Sequence, residues 1–320
     1  MTHLPTLFCS TIIPTIGRPT LTRAVESVLA QEVQGFSIEV IVVNDSGNPL
    51  PEMPWETDPR VRVLHTMRRE RSVARNTGAA CARGEYFHFL DDDDWLLPGA
   101  MIAFKRLTEH ARQATWLYGA TQLVDRENHP LIQLHHNLKG NCFTQIMAGE
   151  WIPLQSSLIP VNVFFELRGF LPGLSSTQDV DLCRRAALLG DFAETDAIVS
   201  CVGMGETNST TNRAKYLGYA RWAREQILNM PGAFARMRAS APNGEWVGRM
   251  ARIYLTSTLW NLQHRQLFTA LSRGIYGLAS FLLGLPYFFS GKFWRAIRKP
   301  YASTTFAKGF DEQKVTNSPG

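Results

Sequence analysis

The sequence has few cysteines, and their spacing suits neither a metal site nor a disulfide framework. The five, Cys9, Cys81, Cys142, Cys183 and Cys201, are odd in number, widely scattered and never in a Cys-x-x-Cys pair. This pattern argues against a structural zinc site and against a small disulfide-linked secreted domain. A reducing, cytoplasmic setting is therefore expected.

The N-terminus lacks the features of a signal peptide. Residues 1–5 run almost directly into an apolar segment, without the basic region, long apolar stretch and cleavage site that export requires in that order. Export is not expected from this pattern.

Acidic residues are missing from one long stretch near the C-terminus. No Asp or Glu occurs between Trp246 and Phe310, and the same stretch contains nine lysines and arginines. Within it, the eighteen uncharged residues 274–291 come close to transmembrane length, and residues 292–299 mix cations with Trp and Phe. Such segments lie on anionic membrane surfaces. We expect a peripheral contact with an anionic membrane on its inner face, or alternatively a helical subdomain packed on the rest of the chain.

The first hundred residues alternate between strand-like and helix-like patterns. Near-continuous apolar runs predict strands at 7–14, 38–43, 61–65 and 86–90, and apolar residues at helical spacing predict helices at 20–31 and 71–82. Pro98 is predicted to lie in the first turn of a further helix. The alternation predicts a doubly wound, mostly parallel α/β sheet.

The rest of the chain is less regular. Strands are predicted at 116–124 and 154–160, helices at 143–149, 161–167 and 178–189, and helices throughout from about residue 214.

Polar loops follow three of the predicted strands, at residues 14–18, 44–47 and 91–94. Because the carboxyl ends of parallel strands meet at one edge of a sheet, these loops should line a single crevice.

The third loop contains four consecutive aspartates, residues 91–94. Adjacent carboxylates repel one another unless solvent or a cation neutralises them. A solvated acidic turn is the alternative, but the apolar strand before the run and Trp95 and Leu96 after it hold it against the core. Mg²⁺ and Mn²⁺ prefer such oxygen ligands and often share them with a substrate diphosphate. The run therefore predicts a site for Mn²⁺ or Mg²⁺.

Five segments in series resemble the family 2 glycosyltransferases of the GT-A fold, over about residues 5–205. They are STIIPTIGRPTLTRAVESVLAQ, IEVIVVNDSG, RSVARNTGAACARGEYFHFLDDDDWLLP, GNCFTQIMAGEWIPLQSSLIPVNVFFELRGF and TQDVDLCRRAALLG. The resemblance implies a GT-A-like α/β fold with a C-terminal helical extension. It also implies transfer of a sugar from a nucleoside diphosphate sugar, with UDP as the default, and inversion at the anomeric carbon.

The resemblance assigns metal-site roles within the aspartate run. Asp91 and Asp93 match the two ends of the family's Asp-x-Asp motif, with Asp93 the preferred metal ligand and Asp91 facing the ribose or the metal. Asp94 is an auxiliary ligand, and Asp92 occupies the variable middle position.

Several further positions match the family's donor-binding residues. Pro14, Thr15 and Arg18 match the first donor loop. Asp45 resembles the residue that accepts a hydrogen bond from the base, although an ordinary Asx turn would use the same sequence. Arg71 is preferred as the cation near the base or diphosphate. Arg75 could serve there or pair with an acidic neighbour.

Asp179 resembles the catalytic base of the family, with Gln178 in place of the usual Glu. It would deprotonate the acceptor hydroxyl. An acidic residue that complements the dipole in the first helical turn is the alternative. Trp151 could stack on an acceptor sugar or pack in the core.

The expected organisation is a catalytic domain over residues 1–205 and a helical, basic and apolar region over 206–320. Residues 1–115 would bind the nucleotide sugar and 116–205 the acceptor, a glycan or lipid-linked glycan; no nucleic-acid partner is expected. Two alternatives remain open: a nucleotidyltransferase acting on sugar phosphates, and a homologue that binds nucleotide sugars without catalysis.

Overall fold

The computed structural model describes residues 7–67, 70–174, 176–203, 213–240, 243–301 and 303–306. In these residues the centre of the fold is a ten-stranded mixed sheet. Its first part is parallel, in the order β4-β1-β2-β3. These strands are β1 (Leu7–Thr15), β2 (Ser37–Asn44), β3 (Val61–His65) and β4 (Tyr86–Phe89).

The second part of the sheet is mainly antiparallel. It comprises β5 (Trp95–Leu96), β6 (Trp116–Val124), β7 (Pro130–His135), β8 (Ser157–Pro160), β9 (Phe192–Gly203) and β10 (Thr305–Phe306). Strand β8 joins β4 to β6 with antiparallel pairing on both sides, and β9 lies parallel to β6. The predicted α/β class is confirmed, while parallel pairing is confined to β1–β4 and to the β6–β9 pair.

Helices cover both faces of the sheet. Those of the first two hundred residues are α1 (Leu21–Leu29), α2 (Arg71–Cys81), α3 (Ala100–His110), α4 (Phe143–Ala148), α5 (Val161–Glu166) and α6 (Gln178–Leu189). The C-terminal helices are α7 (Arg213–Leu228), α8 (Ala233–Arg238), α9 (Gly244–Gln263), α10 (Leu267–Leu283) and α11 (Gly291–Arg298).

The continuous apolar runs of the central strands reflect burial on both faces. Along β2, Val40 and Val42 join one hydrophobic cluster with α1 and α3, whereas Ile41 and Val43 join a second cluster with α2 and α6. Because side chains alternate along a strand, each face has its own core.

The C-terminal part packs on the catalytic part through α9. Met250 and Ile253 of α9 belong to the same buried cluster as Ile146 and Met147 of α4. The guanidinium of Arg249 lies 3.4 Å from a carboxylate oxygen of Glu150, with both side chains buried. Helix α9 therefore fits the alternative of a packed helical subdomain. The expected boundary between residues 205 and 206 lies outside the described residues and stays a prediction.

Among the described residues, no helix combines the length and the apolar character needed to cross a bilayer.

Some element boundaries differ from the sequence-based expectation. Helix α3 begins at Ala100, after Gly99 in a left-handed conformation (φ 83°), so Pro98 lies before the helix and not in its first turn. The predicted strand at 154–160 begins with a 3₁₀ turn, Leu154–Ser156, and only its second half is β8. That turn contributes a side chain to the site below.

Candidate active site

A cavity of about 500 Å³ opens at the carboxyl ends of β1, β2 and β4. It is lined by all of the site residues that the sequence predicts: Pro14, Thr15, Arg18, Asp45, Arg71, Asp91, Asp93 and Asp179. The polar loops therefore lie at one edge of the sheet, as expected for parallel strands. The roles of the individual residues stay predictions.

The four aspartates divide into two buried and two half-buried side chains. Asp92 and Asp94 are buried, whereas Asp91 and Asp93 are partly exposed to the cavity. Carboxylate oxygens of Asp91, Asp93 and Asp94 lie within 4.8 Å of one another. Three carboxylates at this separation, open to a cavity, are a ligand set that suits a divalent cation with oxygen preference.

Asp91 is the most strongly neutralised member of this carboxylate trio. The Arg75 guanidinium donates to Asp91 Oδ1 at 2.5 Å, and the Gln155 amide donates to Oδ2 at 3.2 Å. Burial alone would raise the pKa of Asp91, but the charges of Arg75, Arg71 and Arg18 outweigh it and hold the pKa below its ordinary value.

The other two carboxylates are less well compensated. Burial and the charge of Asp91 raise the pKa of Asp93 in spite of Arg18. Burial and the charges of Asp91 and Asp93 raise the pKa of Asp94 well above its ordinary value. A cation placed among the three would offset the repulsion that adds to burial in both shifts.

Asp92 anchors the first donor loop. Its carboxylate accepts from Thr15 Oγ1 at 2.6 Å and from Arg18 Nη1 at 2.8 Å. The same Arg18 nitrogen donates to Asp93 Oδ2 at 2.9 Å. The middle aspartate of the motif thus connects β1 to the aspartate run, while Arg18 partly neutralises the predicted metal ligand.

Asp45 is buried, and both of its carboxylate oxygens already accept hydrogen bonds from nearby residues. Its two carboxylate oxygens accept from the Thr66 hydroxyl and from the Glu70 amide. The Asx turn considered for this segment is formed by Asn44, whose Oδ1 accepts from the Ser46 amide at 3.0 Å. Asp45 therefore does not make that turn, and further lone pairs remain on each oxygen for a ligand.

Arg75 is a stronger candidate for anion binding than its sequence context suggested. The side chain is buried beside the cavity, and Nε and Nη1 have no hydrogen-bond partner among the described residues. Buried guanidinium N–H groups are costly to leave unsatisfied. The ion pair with Asp91 uses one guanidinium nitrogen, Nη2. A phosphate group would accept hydrogen bonds from the other two.

Asp179 lies in the first turn of α6 and faces the same cavity. Its Oδ1 accepts from the Val180 amide at 2.8 Å. Burial raises the pKa of Asp179, with a smaller contribution from the charge of Asp91, although the Val180 amide and Arg75 act against it. The neighbouring Asp181 instead forms a buried ion pair with Arg185 at 2.6 Å. Of the two acids on this turn, Asp179 lines the cavity.

Gln178 also lines the cavity, and its side-chain oxygen Oε1 has no partner in the described part of the chain. The side chain is buried, so this acceptor is available only to a group inside the cavity. Trp151 is half-buried at the cavity wall.

Gln155 is a site residue that sequence reasoning missed. Its amide nitrogen donates to Asp94 Oδ2 at 2.6 Å and to Asp91 Oδ2 at 3.2 Å, so it holds two of the trio together. Its backbone oxygen lies 2.9 Å from Nε2 of the buried His88. A single glutamine after Leu154 carries no pattern that would have identified it.

The buried histidines make stability depend on pH. Burial lowers the pKa of His88, and that of His136, from 6.5 to about 4. The unfolded chain therefore binds protons at a pH where the folded chain does not. This stabilisation is complete above about pH 6.5 and is lost as the pH falls toward 4, on the order of 3 kcal/mol for each histidine.

Replacing His88 by glutamine is expected to flatten this dependence. The free energy of unfolding, measured by urea titration across pH 6.5 to 4, should fall less steeply in the variant than in the original protein. The exposed His110→Gln is the matched control and should leave the slope unchanged. Equal slopes for all three proteins would contradict the assignment.

Comparison with known proteins finds similar chains and a similar fold. Residues 10–147 match the model of Glycosyl transferase family 2. The uncharacterized glycosyltransferase EpsJ from Bacillus subtilis (strain 168) is 38% identical over 110 residues, which are 32% of this chain and 30% of that protein. The succinoglycan biosynthesis protein ExoO from Rhizobium meliloti (strain 1021) is 41% identical over 109 residues, 33% of this chain and 29% of that protein. The chain thus spans less than a third of the length of these curated relatives.

A solved structure matches over most of the chain. The crystal structure of residues 1–349 of S. aureus TarS in complex with UDP-GlcNAc has a TM-score of 0.60 at 14% identity, covering 83% of this chain and 89% of that one. At this identity the likeness shows the fold alone. The structural match shows the GT-A fold. Residues 10–147 are similar to Glycosyl transferase family 2.

Proposed function

We propose that this chain transfers a glycosyl group from a UDP-sugar to an acceptor hydroxyl, with inversion at the anomeric carbon. One observation carries the proposal: a single cavity holds the carboxylate trio, the cations Arg18, Arg71 and Arg75, and the isolated carboxylate of Asp179. Metal ligands and phosphate-binding cations on one side, with a separate base on the other, suit glycosyl transfer.

The donor is proposed to bind beside the first three loops. The guanidinium of Arg75 offers two unsatisfied N–H groups, and Arg71 and Arg18 add positive charge, so a diphosphate would be held by charge-assisted hydrogen bonds. Asp45, Pro14 and Thr15 would contact the nucleoside. Mn²⁺ or Mg²⁺, held by Asp93 and Asp91 with Asp94 beside them, would offset the negative charge that develops on the departing nucleoside diphosphate.

The acceptor is proposed to bind beside α6. Asp179 accepts the proton from the acceptor hydroxyl as its oxygen attacks, and its raised pKa makes it a better base than an ordinary surface aspartate. Gln178 Oε1 is available to accept from a neighbouring hydroxyl of the acceptor. A single base acting on the incoming oxygen corresponds to one displacement, which inverts the anomeric carbon.

The finer assignments are supported by the relatives. TarS was crystallised with UDP-GlcNAc, which supports UDP as the nucleotide here. ExoO is named for succinoglycan biosynthesis, which supports a glycan or lipid-linked glycan as acceptor. The division into halves at residue 115, the catalytic region 1–205 and a cytoplasmic position on the inner membrane face belong to the same proposal.

A donor screen tests the proposal. Thermal unfolding is measured with UDP-sugars, other nucleotide sugars, and a nucleoside triphosphate with sugar phosphate, each with and without Mn²⁺. A ligand present at a hundredfold its Kd stabilises the native state by about 2.7 kcal/mol, so the true donor should raise the melting temperature by several degrees. The increase should require Mn²⁺ and should disappear when Arg75 is replaced by methionine.

Two results would contradict the proposal. Stabilisation only by the triphosphate and sugar phosphate would favour a nucleotidyltransferase. Metal-dependent donor binding without transfer or hydrolysis of any donor would favour a non-catalytic binding protein.

A further inference from the structure

Helix α10 has its large apolar residues on the outside. The buried residues of this helix are small, namely Ala270, Gly277 and Ser280. A Cβ atom on Gly277 would lie 3.3 Å from the side chain of Leu255 and 3.4 Å from its backbone nitrogen, so α9 and α10 are in close contact there. A water-exposed helix normally has the opposite arrangement, with its bulky apolar residues turned inward.

The outward residues form a continuous line, here called the outer strip. They alternate at spacings of three and four residues along the helix, and each is more than half exposed: Phe268 92%, Leu271 66%, Ile275 60%, Leu278 59% and Leu282 53%. The helix has 17 residues, so the strip is about 25 Å long.

Neighbouring elements extend the apolar surface. Leu255, Leu259 and Leu262 of α9 are exposed, and Phe289, beyond the end of α10, is fully exposed. Isolated exposed leucines are common in proteins, but five large apolar side chains on one face of a single helix mark an interaction surface.

Basic residues lie at both ends of the outer strip. Arg265 precedes α10, and Lys292, Arg295, Arg298 and Lys299 follow it in and after α11; all five are exposed. The sequence contains no acidic residue between Trp246 and Phe310 to balance them. The partner that covers the strip is therefore negatively charged at its rim and apolar beneath.

We infer that the outer strip is a docking surface for an anionic phospholipid bilayer. Its apolar side chains lie at the boundary between headgroups and acyl chains, while the flanking cations contact lipid phosphates. Small residues between α9 and α10, with large ones turned outward, also match helix packing in lipid surroundings. This docking does not depend on the donor proposed above, because no residue of the strip lines the cavity.

A second copy of the chain fits the same surface less well. In a parallel two-fold pair Arg265 would meet Arg265, and in an antiparallel pair it would approach Lys292 and Arg295 of the other copy. Both arrangements bring like charges together without acidic partners, which opposes association.

Vesicle sedimentation of the full-length chain tests the inference. The vesicles contain phosphatidylcholine alone or phosphatidylcholine mixed with phosphatidylglycerol. We expect at least tenfold stronger binding to the anionic vesicles, with partial release as salt rises, because salt screens the cations and not the apolar contacts.

Two variants separate the apolar and charged contributions. The triple variant Leu271→Ser, Ile275→Ser, Leu278→Ser should lose binding to both vesicle types. The double variant Lys292→Gln, Arg295→Gln should weaken only binding to anionic vesicles, by about fivefold per removed charge at low salt. The matched control carries Leu131→Ser and Arg112→Gln, an exposed leucine and an exposed arginine outside α9–α11, and should bind as the original protein does.

The substituted side chains are exposed, and unchanged melting temperatures would verify that the variants fold. Binding of the triple variant equal to that of the original protein would overturn the inference. The inference would also be overturned if the original protein bound neither vesicle type and instead formed a dimer, seen by sedimentation velocity, that the triple variant abolishes.

Discussion

Replacing Asp93 by asparagine is expected to reduce turnover about a thousandfold, which corresponds to roughly 4 kcal/mol of transition-state stabilisation. The carboxylate is half-exposed in the cavity, and its repulsion from Asp91 indicates that a cation belongs there. An amide offers one neutral oxygen to the metal in place of a charged carboxylate. Turnover and Mn²⁺-dependent donor binding, measured by calorimetry, should therefore fall together.

The control for this variant is Asp196→Asn, which removes an exposed carboxylate from β9 and leaves the cavity lining unchanged. It should retain turnover and metal affinity. The metal assignment would be wrong if Asp93→Asn kept its turnover, or if turnover fell while the Mn²⁺ dependence of donor binding stayed the same.

Replacing Asp179 by asparagine should separate catalysis from donor binding. The expected loss in kcat is about 10²–10⁴-fold, the usual contribution of a general base. The Kd for the donor should stay close to its original value, because the proposed role of Asp179, in the first turn of α6, is to act on the acceptor. Donor affinity by calorimetry and single-turnover rates measure the two effects separately.

A structural role for Asp179 would produce a different result. If the carboxylate only complemented the α6 dipole, the variant would lose about 0.3–1 kcal/mol of stability and little activity. Equal losses of donor affinity and turnover would assign Asp179 to the donor side. Either outcome would exclude Asp179 as the general base.

Much of the parallel half of the sheet could be predicted because its signal is local. Strand β3, Val61–His65, was predicted with the observed bounds, and the bounds of β1, β2 and β4 were predicted within one or two residues. Strands that are buried on both faces consist of continuous apolar runs, which can be recognised in the sequence. Strands β5, β7, β9 and β10 were missed, the last of them in the region predicted to be helical throughout. Strand β5 has two residues, and β9 is only partly buried, so neither contains a distinct run.

The site was predictable where residues are adjacent in sequence and unpredictable where they meet across the fold. The four adjacent aspartates could be recognised in the sequence alone. Gln155 reaches Asp94 from a turn sixty-one positions later, and Arg75 shows its unsatisfied nitrogens only once the surrounding residues are known. The Asx turn that the sequence allowed over residues 44–47 is made by Asn44, while Thr66 and Glu70 hold the Asp45 carboxylate elsewhere.

The C-terminal region shows the same division. Its lack of acids and its apolar stretch are properties of the sequence, and they indicated either a membrane contact or a packed subdomain. In the structure α9 packs on α4, while α10 turns its leucines outward. Composition could not separate these, since it does not record which face of a helix meets the core.

The sequence by itself determined the α/β alternation, the order of the polar loops and the presence of an acidic motif and a basic C-terminal stretch. These features depend on residue spacing within a few turns or one strand. Only the tertiary structure decided that Gln155 joins Asp91 to Asp94, that Asp92 anchors Arg18 and that Asp179 shares their cavity. Burial, pKa and hydrogen-bond satisfaction depend on distances between residues far apart in the chain, and only folding sets those distances.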